Sequence, residues 1–316
     1  MSSSRPIVVG TRGSALALWQ ARHVVQALEA RHPGRRFDLT TVRTRGDVIQ
    51  DVALAELGAR GVFVKEIEGL LLSGEVDVGV HSLKDLPSEL SSGLVLAAVS
   101  AREDPRDALV SRGRRPLAEL PAGARLGTGS PRRAAQLRAF RPDLVVESIR
   151  GNVDTRVRKA LAGEGSGLDG AVLALAGLRR LGLEGEVAER IPLSVMTPAP
   201  GQGIIGVEAR SDDAEVLSLA AAIDDVPTHR AARAERAFVR ALGGGCTTPL
   251  GAYAVARDGA LEIQGVLAST DGRKLLRAEV TGDAADPEAL GASLAGRILA
   301  LGGGEILAEI ERGAIA

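Results

Sequence analysis

Apolar and polar positions alternate between two periods along the first two thirds of the chain. Ile7–Gly10 reads as a strand, and the segment from Ser14 to about Arg31 reads as a helix that His32-Pro33-Gly34 stops. Phe37–Thr44 returns to period two, with Phe37, Leu39, Thr41 and Arg43 on one side. Val62–Leu72 is helical and Val76–Val80 is a short buried strand. After Asp104-Pro105 a second series begins. It has strands near Ala124–Gly127, Leu144–Ile149 and Ala171–Leu175, with helices from Pro131 and from about Val153. Strands alternating with helices predict parallel sheets built from βαβ units.

The last ninety or so residues follow another pattern. A helix around His229–Leu242 precedes three strands, near Ala252–Ala256, Leu261–Ala268 and Lys274–Val280. Asp258-Gly259 and Asp271-Gly272 supply hairpin turns between them, and a helix follows from about Pro287 to Leu301. This predicts a separate α+β domain. Between the second strand and the following helix, Thr44–Gly61 reads either as a lid or as an ordinary connection with a short helix around Ala53–Leu57.

Composition changes this picture little. The 316 residues suit two or three domains, and 45% hydrophobic with 25% charged residues describes an ordinary globular protein. Met1–Gly10 lacks the apolar stretch of a secretory signal, and no apolar run approaches the ~20 residues that cross a bilayer. The expectation is a cytoplasmic protein without a membrane partner. Only four of the 39 basic residues are Lys, at 65, 84, 159 and 274. Arg clamps carboxylates and phosphates bidentately, so the arginines matter where they cluster. A formal net charge of −1 and 2% aromatics argue against nucleic acid.

They cluster at strand-to-helix junctions. In Gly127-Thr-Gly-Ser-Pro-Arg-Arg133, Ser130 is placed to cap a helix and Pro131 to start it. Arg132 and Arg133 then fall in the first turn, where positive charge opposes the helix dipole unless an anion sits there. Thr11-Arg12-Gly13-Ser14 and Arg150-Gly151-Asn152-Val153-Asp154-Thr155-Arg156 occupy similar junctions. Three such junctions predict a polyanionic ligand at the carboxyl ends of parallel strands. His81-Ser-Leu-Lys-Asp-Leu-Pro87 follows another strand and offers Lys84 to an anion and Asp85 to a cationic intermediate or a proton. The four histidines are scattered, so no metal site is expected. Cys246, the one cysteine, lies in Gly243-Gly-Gly-Cys-Thr-Thr-Pro-Leu-Gly251. By itself it reads as a buried small hydrophobe, a nucleophile or an attachment point.

Together these stretches resemble the porphobilinogen deaminase (hydroxymethylbilane synthase) family over essentially the whole chain. The resemblance rests on Thr11–Gln20, Thr44–Asp47, Gly61–Glu66, Val80–Pro87, Arg102–Asp107, Gly127–Arg133, Arg150–Asn152, Pro200–Gly203 and Gly243–Gly251, in the family's order and spacing. It implies an α/β fold of two periplasmic-binding-protein-like domains and a C-terminal α+β domain with a three-stranded antiparallel sheet. The implied divisions are 1–100 with 203–222, then 104–200, then 226–316, with Gly203–Arg210 as a strand that returns to the first domain. It further implies a transferase that joins four porphobilinogen molecules into hydroxymethylbilane in tetrapyrrole (haem and porphyrin) biosynthesis, releasing ammonia. The implied cofactor is a dipyrromethane bound through a thioether to Cys246, and the implied catalytic carboxylate is Asp85. Arg12, Ser14, Lys84, Thr128, Ser130, Arg132, Arg133, Arg150 and Arg156 are the implied carboxylate-binding residues. A monomer is implied, acting on a small molecule. Two rival readings are a small-anion binding protein of the same two-lobed fold and an Arg-rich nucleic-acid binder.

Overall fold

A computed structural model describes residues 5–42, 64–245 and 247–315. The expected lid, Thr44–Gly61, and Cys246 lie outside the described residues. In chain order the first elements are β1 (Ile7–Arg12), α1 (Ala15–Arg31), β2 (Phe37–Val42), α2 (Lys65–Ser73), β3 (Val78–Ser82) and β4 (Leu94–Val99). Next come β5 (Asp107–Ser111), β6 (Arg125–Gly127), α3 (Pro131–Phe140), β7 (Val145–Glu147), α4 (Val153–Leu161), β8 (Gly170–Ala174), α5 (Leu175–Arg180) and β9 (Glu189–Arg190). The chain ends with β10 (Ile205–Arg210), α6 (Ala214–Ala221), α7 (Val226–Ala241), β11 (Leu250–Arg257), β12 (Ala260–Ala268), β13 (Leu275–Asp283), α8 (Pro287–Ile298) and α9 (Gly304–Ile315). Two compact units result, Met1–Glu103 with Gly203–His229 and Asp104–Gln202 with Arg230–Ala316.

The first unit holds a five-stranded sheet of order β2-β1-β3-β10-β4, and the second holds one of order β7-β6-β8-β5-β9. In each, the first three strands in that order are parallel. The fourth, β10 or β5, runs antiparallel to both of its neighbours. The expectation of parallel sheets thus holds for three strands of each sheet and is corrected at the fourth. The fourth strand is not reached through a βαβ crossover within its own unit, so its direction is free of that constraint. β5 begins just after the chain leaves Glu103, and β10 just after it returns at Gly203. These two passages are pinned together, because Glu103 N–H donates to Gly203 O at 3.1 Å. Gly203 has φ +89°, and a Cβ there would lie 2.3 Å from Glu103 O, so a side chain is doubly excluded.

The apolar periodicity finds its partners within each unit. Val24 and Leu28 on α1 pack with Ile7, Val9, Phe37, Val78, Val80 and Val207. Val42 has the opposite parity to the face expected for β2 and joins a second cluster with Ile67, Leu71 and Val76. In the second unit, alternate residues of β5 feed two clusters, Ala108 and Val110 in one and Leu109 in the other, so this strand is covered on both faces. The three-stranded antiparallel sheet β11-β12-β13 packs Leu261, Ile263 and Leu267 against Phe238 of α7 and Leu294 and Ile298 of α8. Its first hairpin turns at Asp258 (φ +49°) and Gly259 (φ +82°).

Helix 287–313 was not expected as a membrane candidate, yet among the described residues it is long and apolar enough to cross one by length and composition. It is broken at Gly302 (φ +100°). Leu290, Leu294, Ile298 and Ile306 along it are buried in the core of the third sheet.

Candidate active site

In the first unit the site forms where β1 and β3, adjacent and parallel, reach their carboxyl ends. β3 runs into a 3-10 turn, Leu83–Asp85. Leu83 and Leu86 are buried on either side of it, which turns Lys84 and Asp85 away from the core. Leu83 N–H donates to Ile204 O at 3.0 Å, and Leu86 N–H closes the turn on Leu83 O at 3.1 Å. Asp85 is exposed and Lys84 is half-buried. At the neighbouring strand end, Arg12 closes β1 and Ser14 caps α1, its Oγ accepting from Ala17 N–H at 3.2 Å. Buried Gln20 on α1 donates Nε2–H to Ser82 Oγ at 2.9 Å, which ties that helix to the last residue of β3. The fold therefore brings Arg12, Ser14, Lys84 and Asp85 to one edge of one sheet.

In the second unit β6 and β7, also adjacent and parallel, open into α3 and α4. Thr128 Oγ1 accepts from Ser130 N–H at 3.2 Å, and Ser130 Oγ accepts from Arg133 N–H at 3.4 Å, so hydroxyls occupy two donors of the helix start. Arg156 reaches back from α4, and its Nε–H donates to Gly151 O at 2.7 Å. Its guanidinium lies beside Gly129, where a Cβ would sit 3.7 Å from Nη1 and 3.0 Å from Ile149 O. Arg150 is half-buried, and its carbonyl accepts from Lys159 Nζ at 3.2 Å. Asn152 stands at the N-cap of α4 without a side-chain capping bond.

Arg132 and Arg133 behave differently from these neighbours. Both are buried and turn inward onto Asp107, the first residue of β5. Arg132 Nη1 lies 2.7 Å from Asp107 Oδ2 and also donates to Thr197 O at 2.7 Å. Arg133 meets Oδ1 through Nε at 2.9 Å and through Nη2 at 2.7 Å. Gln202 donates Nε2–H to the same Oδ1 at 2.9 Å and to Pro105 O at 2.7 Å. Burial pushes the Asp107 carboxyl up, but the Arg132 and Arg133 charges and the bonds from Arg132 and Gln202 outweigh it and hold it far below the usual carboxylate range. Part of the anion that first-turn arginines call for is thus supplied by the protein. Two guanidiniums still face one carboxylate, which leaves one positive charge unbalanced within the cluster.

The segment before Gly203 is clamped on its other side by the third sheet. Glu235, fully buried on α7, accepts from Gly201 N–H at 2.6 Å and from Ala254 N–H at 2.7 Å. Arg277 on β13 donates to Thr197 Oγ1 at 2.8 Å. Next to Cys246, Thr248 Oγ1 accepts from Gly245 N–H at 3.1 Å. Asp107, Gln202, Glu235 and Arg277 carry this framework, and sequence reasoning assigned none of them a role. The first two lie within the stretches Arg102–Asp107 and Pro200–Gly203, which were matched as motifs without a chemistry, and that was the available signal.

The sequence profile of the porphobilinogen deaminase dipyrromethane cofactor binding domain matches residues 7–218. That of the porphobilinogen deaminase C-terminal domain matches residues 229–300. A porphobilinogen deaminase of Desulforudis audaxviator is 54% identical over 98% of this chain and 99% of its own length. One of Moorella thermoacetica is 52% identical over 96% of each chain. Among solved structures, a TRAP periplasmic solute-binding protein from Roseobacter denitrificans with bound β-D-glucuronate aligns over 70% of this chain and 78% of its own. Its TM-score is 0.37 at 8% identity, a level that carries no conclusion. On the two profiles and the near-full-length relatives, the chain belongs to the porphobilinogen deaminase family.

Proposed function

We propose that Asp85 is the catalytic carboxylate of this transferase and that Cys246 anchors its dipyrromethane. As a member of the porphobilinogen deaminase family the enzyme makes hydroxymethylbilane from porphobilinogen, with the dipyrromethane as its cofactor. The observation that carries the proposal is the turn Leu83–Asp85, which holds an exposed carboxylate beside Lys84 at a sheet edge shared with Arg12 and Ser14.

The residues fit a dipyrrole that bears several carboxylates. Arg132 Nε is buried with no hydrogen-bond partner among the described residues. A Cβ at Gly13 or Gly245 would meet none of the described atoms within 4 Å. When bound, the cofactor supplies the free pyrrole carbon to which the first substrate is joined. Arg12, Ser14, Lys84, Thr128, Ser130, Arg150 and Arg156 hold acetate and propionate groups, and Arg132 and Arg133 add the unbalanced charge of their cluster. Loss of ammonia breaks the substrate's aminomethyl C–N bond and leaves a cation conjugated with the pyrrole nitrogen. Asp85 stabilises that charge, and the attacking carbon forms the new C–C bond and then gives its proton to the Asp85 carboxylate. After the last addition water supplies the hydroxyl group as hydrolysis frees the product. The same proposal has the enzyme acting as a monomer in the cytoplasm, without nucleic-acid or membrane partners. The formal net charge of −1 supports the first of these exclusions.

Intact mass of the purified protein tests the anchor. The wild type is expected to carry a covalent dipyrrole that is missing from Cys246→Ala. An active wild type whose mass equals that of its bare sequence sinks the assignment.

A further inference from the structure

β10 carries another buried acid, Glu208, which belongs to none of the clusters above. It is fully buried, and His81 on β3 is nearly so. His81 Nε2 lies 3.1 Å from Glu208 Oε2. Neither carboxylate oxygen of Glu208 nor His81 Nε2 makes a hydrogen bond among the described residues, so the two meet by close approach alone. The two are diagonal neighbours across the β3–β10 ladder, where His81 stands opposite Gly206 and Glu208 opposite Gly79. Residues opposite one another in a ladder share a face, so both glycines lie on the face of the pair. A Cβ at Gly79 would come 2.8 Å from His81 Nε2, and one at Gly206 would press on Leu83 and Leu96 methyls at 3.2 Å. At Gly79 the sheet has given up a side chain where His81 needs room, and at Gly206 one where the neighbouring leucines pack.

Stability does not explain such an arrangement. A buried ion pair is commonly matched or bettered by apolar side chains of similar volume, and its best attested use is to fix register. Register matters at this point of the sheet because the Lys84–Asp85 turn is the direct continuation of β3. His81 is four residues before Asp85, and the intervening backbone is fastened to the same partner strand through Ser82 opposite Ile205 and through Leu83 N–H on Ile204 O. A contact between position 81 of β3 and position 208 of β10 resists sliding of one strand along the other, which would carry the turn with it.

We propose that the His81–Glu208 pair is a positioning device for the catalytic turn, setting where the Asp85 carboxylate stands relative to the substrate. The inference rests on the assignment of Asp85 as the catalytic carboxylate. Glu208 and His81 act through Asp85 and do not themselves touch the reacting atoms. Their effect is therefore on the rate of the chemical step rather than on carboxylate recognition.

The test compares wild type, Glu208→Gln, the double variant H81L/E208L and Asp85→Ala as purified holoenzymes, with cofactor content checked by intact mass. At temperatures where each is folded, Glu208→Gln and H81L/E208L are expected to lose roughly ten- to a hundredfold in kcat, the range that small misplacements of a catalytic group produce. KM should stay within about twofold and the dipyrrole mass should be retained, the pattern of an interaction felt only in the transition state. Wild-type kcat in either folded variant overturns the proposal. If Glu208→Gln does not fold, the double variant, which keeps the volume without a lone buried charge, decides on the same criterion. Asp85→Ala separates the two readings. Turnover by that variant removes Asp85 from catalysis and this inference with it. A dead Asp85→Ala beside a fully active Glu208→Gln removes this inference alone.

Discussion

The two five-stranded sheets share one strand order, and in each the antiparallel fourth strand brings in a buried acid, Asp107 on β5 and Glu208 on β10. Their surroundings could hardly differ more. Asp107 meets two guanidiniums and the Gln202 amide, and its carboxyl is held far below its ordinary value. The Glu208 carboxylate meets one imidazole at 3.1 Å and makes no hydrogen bond among the described residues. Asp107 thus joins the two passages of chain at 105–107 and 202 to the first turn of α3, whereas Glu208 spans two adjacent strands of one sheet. The same strand of the same topology serves cohesion in one unit and, on our proposal, register in the other.

The comparison breaks most readily at Asp107. Asp107→Asn leaves Arg132 and Arg133 buried together without a counter-charge, and breaking a buried pair in this way costs about 3–5 kcal/mol. Urea unfolding should register the loss as a lower midpoint at unchanged slope. A loss below about 1 kcal/mol would show that the cluster is no more cohesive than a surface pair.

Acid should expose the same difference more gently. The native carboxyl of Asp107 is depressed below its unfolded value of about 3.9, so its contribution is complete above that pH and is lost as the pH falls toward the native value. The stability gap between wild type and Asp107→Asn is therefore expected to be constant from neutral pH to about pH 5 and to narrow below about pH 4. A gap that persists unchanged into stronger acid would mean that the carboxylate charge is not its source.

The smallest change in stability belongs to Glu208. H81L/E208L is expected to unfold within about 1 kcal/mol of wild type, or to be more stable, as apolar replacements of buried ion pairs often are. A calorimetric loss as large as that of Asp107→Asn would make the two acids equivalent and erase the contrast.

The sequence reached many of these elements because their signals are local. Ser14, Ser130 and Pro131 stand where helices start, His32 and Gly34 where one stops, and Asp258-Gly259 where a hairpin turns. Such signals depend on the φ/ψ preferences and hydrogen bonds of a few adjacent residues. Strands β4 and β5 escaped notice because no helix lies between them and β5 is uniformly buried, so neither period appears. Strand β9 and helices α5, α6 and α9 were likewise not foreseen.

Of the candidate site, Lys84 and Asp85 were legible as polar residues at a strand end between buried leucines, and Arg150 and Arg156 as cations flanking a turn. What Arg132 and Arg133 face was not legible. Their nearest anion, Asp107, is 25 and 26 residues away in sequence, and Gln202 lies 95 residues beyond Asp107. His81 looked like one of four scattered histidines until β10 laid Glu208 beside it. The sequence by itself determined which short stretches cap, turn, alternate and present charge, because those depend on neighbours along the chain. Only the tertiary structure decided which charges answer one another, because a buried charge takes its partner from whichever strand the fold sets against it.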